Sequence, residues 1–126
     1  MLRQSASDQL TIVAAGVTLF EALKAYDELK TQNIAVRVID LYSIVPIDRT
    51  SLMTHAHATQ GRILTVEDHY AHGGLGDAVL SAVAEEGFRV HKMAVREIPH
   101  SGKPDELIDR YGISARAIIE TVKRIL

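Results

Sequence analysis

Glu67, Asp68, His69 and His72 place two carboxylates and two imidazoles within six residues, and Gly73, Gly74 and Gly76 follow directly. Carboxylates and imidazoles can hold a divalent metal or exchange protons near neutral pH. Glycines opening a helix leave backbone N–H groups that suit an anion such as phosphate. The spacing of these acids and histidines matches no established ligand pattern, and strand ends are often polar simply because they leave the core. Metal binding and acid–base chemistry by this chain alone are therefore disfavoured. The glycines form neither a dinucleotide fingerprint nor a phosphate loop with its lysine and hydroxyl. They also let helix and strand backbones approach closely, and packing is favoured over an anion site.

Two further polar groupings carry weaker signals. His55 and His57 stand two apart, so on a helix they point to different sides and share no metal. In His100-Ser101-Gly102-Lys103-Pro104, Lys103 can meet a phosphate and Ser101 can donate a hydrogen bond, but a structural turn is favoured. The absence of cysteine excludes disulfides, thiolate zinc sites and a cysteine nucleophile. A formal net charge of −2 gives no global pull toward nucleic acid or anionic membrane. No apolar run approaches the ~20 residues that span a bilayer, and no signal-peptide pattern opens the chain. A soluble, cytoplasmic location is expected.

These groups need elements to position them. Leu10 to Ala15 reads as a buried strand ending at Gly16. Thr18 and Glu21 have capping-box spacing, and Leu19, Ala22, Leu23, Tyr26 and Leu29 share one face of the helix behind them. Asn33 suits a left-handed helix end, and Ala35 to Leu41 makes a second strand. Pro46 implies an extended connection, after which Asp48 caps a helix to about Gln60 that Gly61 ends. Arg62 to Val66 is a third strand and Gly73 to Glu86 a third helix, with Leu75, Val79, Leu80 and Val83 inward and Gly87 as its stop. Val90 to Val95 makes a fourth strand, Pro104 to Tyr111 a short helix. Ser114 caps a last helix with Ala115, Ile118, Ile119, Val122 and Ile125 on its apolar side.

Strand and helix alternate throughout the 126 residues, with no hairpin signal. That order demands a parallel sheet covered on both faces by helices, in one α/β domain. A phospho-receiver also alternates in this way, but its first strand ends in acids, and this one ends in Ala14-Ala15-Gly16.

Three stretches carry a family resemblance. Leu10 to Thr18 with Glu21-Ala22-Leu23 resembles the opening of the transketolase C-terminal domain. Gly61 to Tyr70 with Gly73-Gly74-Leu75-Gly76 resembles its central strand, loop and helix. Ser101-Gly102-Lys103-Pro104 with Glu106-Leu107 and Tyr111-Gly112-Ile113 is similar to its closing segment. The Ser-Gly-Lys-Pro run points to transketolase rather than to the related dehydrogenase β-subunits or the deoxyxylulose-phosphate enzyme. The match runs from about residue 10 to the end without large gaps.

The resemblance implies a three-layer α/β/α fold with a mostly parallel open sheet in the order second, first, third, fourth. An antiparallel edge strand would be reduced here to residues 1–9, a remnant or linker before the domain at 10–126. The family moves a two-carbon ketol unit between sugar phosphates, in the pentose phosphate pathway, with thiamine diphosphate and a divalent metal. Those cofactors belong to its N-terminal and middle domains, so no catalytic, cofactor-binding or metal residue carries over. The implied partners are those two domains, within a homodimeric enzyme, and the chain alone is expected to be inactive. Its short start suggests an excised or truncated domain. The crevice between the first and third strands would be bordered by Gly16, Thr18, Asp68 and His69. With Gly73, Gly74, Gly76, Ser101 and Lys103, these are the candidate anion or interdomain contacts. A free-standing anion- or partner-binding module is the alternative. The small subunit of a split transketolase is disfavoured, because known split forms keep the middle domain with this one.

Overall fold

The computed structural model describes residues 3–41, 48–70, 74–95 and 112–126. Eight elements occur in these segments: β1 (Thr11–Ala14), α1 (Val17–Thr31), β2 (Arg37–Asp40), α2 (Arg49–Ala58), β3 (Arg62–Tyr70), α3 (Leu75–Ala82), β4 (Arg89–Val95) and α4 (Ala115–Ile125). The extended connection at Pro46 and the short helix from Pro104 to Tyr111 fall outside the described residues.

The four strands form one parallel sheet in the order β2-β1-β3-β4. Thr11 to Ala14 pair with Arg37 to Asp40 on one side and with Ile63 to Val66 on the other. Parallel neighbours need a crossover, and each crossover here is a helix. Alternate side chains pass to opposite faces. Ile12, Ala14, Val38, Leu64 and Val66 meet α1 and α4, while Val13, Ile39 and Ile63 meet α2 and α3. The sheet is thus covered on both faces, as the alternating pattern requires. Arg3 adds an isolated antiparallel bridge to Val38 at the β2 edge.

Caps largely follow the expectations. Asn33 takes φ 60° after α1. The Asp48 side chain accepts from Ser51 N–H at 3.0 Å at the start of α2. Ser114 accepts from Ala117 N–H at 3.3 Å at the start of α4, whose Ile118 and Val122 are fully buried.

Three expectations need correction. Thr18 does not cap α1: Gly16 is the cap, at φ 62° and ψ −132°, and Thr18 lies inside the helix. Its buried hydroxyl is directed at the sheet instead, and Glu21 turns away to α4, where its Oε1 accepts from Ala115 N–H at 3.3 Å. Tertiary partners win over the local box. Strand β3 runs on to Tyr70, because β4 continues beside it and pairs Val95 with Tyr70 after a register shift. Helix α3 is shorter than expected, ending at Ala82, and Leu80 is 43% exposed rather than inward.

Shortening Ile118 should test the weight of the α4 seam. Ile118→Ala is expected to lose about 2–4 kcal/mol of folding stability, read from urea midpoints at constant slope.

Candidate functional site

The carboxyl ends of β1 and β3 meet where the connections diverge to opposite faces, the usual ligand position of an open α/β sheet. Gly16 opens this edge and is exposed, and an added Cβ there would have nothing within 4 Å. Thr18 closes the gap from the α1 side. Its Oγ1 lies 2.7 Å from the Val66 carbonyl and 2.9 Å from that of Ala15. One hydroxyl proton is shared between two strand-end acceptors.

Glu67 follows Val66 and is 3% exposed. Its Oε2 accepts from Gly76 N–H at 2.6 Å, so a buried carboxylate sits at the start of α3. Charge and helix dipole favour that placement. Here the glycines have a physical cause. A Cβ on Gly74 would lie 2.5 Å from Glu67 Oε1, and one on Gly76 would lie 2.6 Å from Lys92 Cδ and 2.9 Å from Thr65 Oγ1. Behind them Lys92 Nζ donates to Asp77 Oδ1 at 2.6 Å, joining β4 to the first turn of α3.

Of the nine candidates, Gly16, Thr18, Gly74 and Gly76 border this edge, and Asp68 and His69 continue β3 beyond Glu67. Gly73, Ser101 and Lys103 lie outside the described residues. Among the described residues no group of three histidine or acidic side chains could hold a metal ion. At the α3 start the Glu67 carboxylate already holds Gly76 N–H.

A second polar cluster lies at the opposite, amino end of the sheet, and the sequence reading missed it. Arg37 opens β2, and its Nε donates to Asp8 Oδ2 at 3.0 Å with both side chains buried. Its NH1 reaches His55 Nδ1 of α2 at 3.1 Å. Burial, then the Arg37 charge, holds His55 below the ordinary imidazole pKa, and the cationic chain terminus adds to this. The available signal was one arginine inside the apolar run Ala35 to Leu41, since a charge in a buried strand needs a partner. Beside the cluster an open cavity of about 410 Å³ lies between residues 4–8 and the end of α1, lined by Ser5, Ser7, Tyr26, Lys30 and Asn33 among others.

Because Gly74 faces a buried carboxylate, Gly74→Ala should cost about 1–3 kcal/mol by forcing Glu67 aside. Gly87→Ala, where a Cβ meets nothing within 4 Å but φ is 73°, separates backbone strain from that clash. Thermal unfolding of both variants checks this. Restoration of Gly74→Ala stability by a second change, Glu67→Ala, is the expected signature of the clash.

Comparison with known proteins places these features. The family described as transketolase, C-terminal domain, matches residues 1–118. Transketolase-like protein 1 of Macaca fascicularis is 53% identical over 127 residues, covering 100% of this chain and 21% of that protein. Transketolase of Mus musculus is 49% identical over 124 residues, covering 98% of this chain and 20% of that protein. A solved structure described as a split gene transketolase, inactive beta4 tetramer, superposes with a TM-score of 0.87 at 37% identity, over 96% of this chain and 40% of that one. A transketolase mutant from Pichia stipitis shares the fold at a TM-score of 0.71 and 20% identity, over 96% of this chain and 17% of that one. The chain spans about a fifth of the length of the curated relatives it matches. With the four-stranded parallel sheet and the Gly61–Gly76 segment in place, the chain belongs to the transketolase C-terminal domain family.

Proposed function

We propose that this chain serves as the non-catalytic C-terminal domain of a transketolase, supporting the assembly or regulation of the enzyme. On this reading residues 10–126 are the domain and residues 1–9 the remnant of its edge strand. The intact enzyme transfers a two-carbon ketol unit between sugar phosphates with thiamine diphosphate and a divalent metal. Its N-terminal and middle domains, absent from these 126 residues, hold both. The chain then works beside those domains in a homodimeric, cytoplasmic enzyme of the pentose phosphate pathway. Among the described residues no helix is long and apolar enough to cross a membrane.

The observation that carries this reading is the Glu67 contact to Gly76 N–H at the start of α3. The segment with the most chemical promise in the sequence directs a carboxylate at its own helix. Such a group stabilises a fold and holds an edge rigid for a neighbour. The relatives' lengths support it as well, since about four fifths of each lies beyond the matched region. A free-standing anion-binding module would compete with Glu67 for one of the N–H groups at this helix start.

The chain alone, supplied with thiamine diphosphate, a divalent metal and ketose and aldose phosphates, is expected to show no ketol transfer. Extension of the polypeptide by the two upstream domains should bring turnover. Activity in the isolated chain would overturn the reading. Saturable binding of inorganic phosphate, abolished by Gly74→Asp, would favour the module.

A further inference from the structure

Arg37 is 7% exposed and stands among apolar neighbours at the head of β2. Three acceptors surround its guanidinium. Nε donates to Asp8 Oδ2 at 3.0 Å, NH2 to the Ser5 carbonyl at 3.0 Å, and NH1 meets His55 Nδ1 at 3.1 Å. Asp8 also accepts from the N–H and the hydroxyl of Ser5, each at 2.6 Å. The guanidinium therefore ties the segment of residues 3–8 to the sheet, and α2 supplies the third acceptor. The same segment lies along β2 through Val38 N–H to the Arg3 carbonyl at 3.0 Å and Gln9 N–H to the Ala35 carbonyl at 2.8 Å.

A guanidinium has donors only, so His55 Nδ1 must accept and carries no proton, while Nε2 holds the one proton of a neutral ring. Protonation of Nδ1 sets donor against donor at a separation of 3.1 Å. Charge adds to the conflict. Arg37 faces the ring from β2, and Asp8 stands behind Arg37 in the lead-in. From β1 the Thr11 hydroxyl donates to the His55 carbonyl. On α2 itself, exposed His57 points elsewhere and packs edge-on against Phe88. One carboxylate balances one guanidinium, and a charged imidazole is a second cation beside them.

We propose that His55 is a proton-sensitive latch: as the neutral ring it completes the acceptor set of Arg37 and so docks the amino-terminal segment on β2, and as the cation it releases that segment. The docked state prefers unprotonated His55, whose pKa lies below the ordinary 6.5. Docking is therefore fully favoured above that ordinary value and is lost as pH falls through the lower, docked value. The device is independent of the transketolase reading, since it rests on contacts within this chain.

Amide exchange and ring titration by NMR on the whole chain test the latch, from about pH 7.5 downward until the His55 ring has titrated. Protection of the Ser5 and Val38 amides, corrected for the intrinsic rate, should fall about tenfold, with the midpoint of the His55 ring. His55→Gln keeps an acceptor oxygen opposite Arg37 and removes the titration, so protection should stay within about twofold. His57→Gln should behave as the wild type. Three results would overturn the proposal: an equally steep loss in His55→Gln, flat protection while the His55 ring titrates, or a ring that stays neutral until the core amides of β1 and β3 open as well.

Discussion

The structure depends on β1, a strand of four residues buried on both faces and paired in parallel on both sides. A buried strand has to place all its backbone polar groups in ladders, and here β2 and β3 supply them. Because the pairing is parallel, each neighbour returns through a helix, and the helices divide between the two faces. The two ends of the sheet then differ in kind. One holds the strand-to-helix turn at Gly16 and the carboxyl end of β3, and the other gathers the strand starts at Thr11, Arg37 and Arg62.

At both ends charged or hydroxyl side chains point inward to satisfy the fold itself. Thr18 spans from α1 to the Val66 carbonyl of β3, and Glu67 reaches from β3 to the first turn of α3. Glu21 crosses from α1 to the first N–H of α4. At the amino end Thr11 and Thr59 join hydroxyls at 2.7 Å, next to the Arg37–Asp8 pair. Each contact links different elements, and each meets a polar need that burial created. The edge beside β1 and β3 is in this way tied together by side-chain contacts between its elements. That property suits a domain whose relatives carry most of their length elsewhere.

The amino end adds a constraint of another sort. Arg37 replaces an apolar side chain in a buried strand, and such a charge is tolerated only when a partner is held against it. Asp8 meets it from a segment outside the strands, so the pair fixes where that segment runs. His55 supplies an acceptor whose state depends on solution pH. A structural need for pairing and a titratable neighbour thus coincide at one place in the fold.

Periodicity by itself determined the number and order of the described strands and helices, the parallel sheet and the caps at Asp48 and Ser114, because those features follow from local spacing and short-range hydrogen bonds. Motif likeness was enough to indicate the family, since Gly61 to Gly76 is distinctive as a string. The tertiary structure decided how far β3 extends, because only β4 alongside could pair Tyr70. It also decided the partners of Thr18, Glu21 and Glu67, and the meeting of Asp8, Arg37 and His55. Sequence pattern ranks a polar residue by its own neighbours, whereas a buried polar group bonds to whatever the packing brings within about 3 Å. Those partners lie 48, 94, 9, 29 and 18 residues away, and only the packed sheet and helices bring them together.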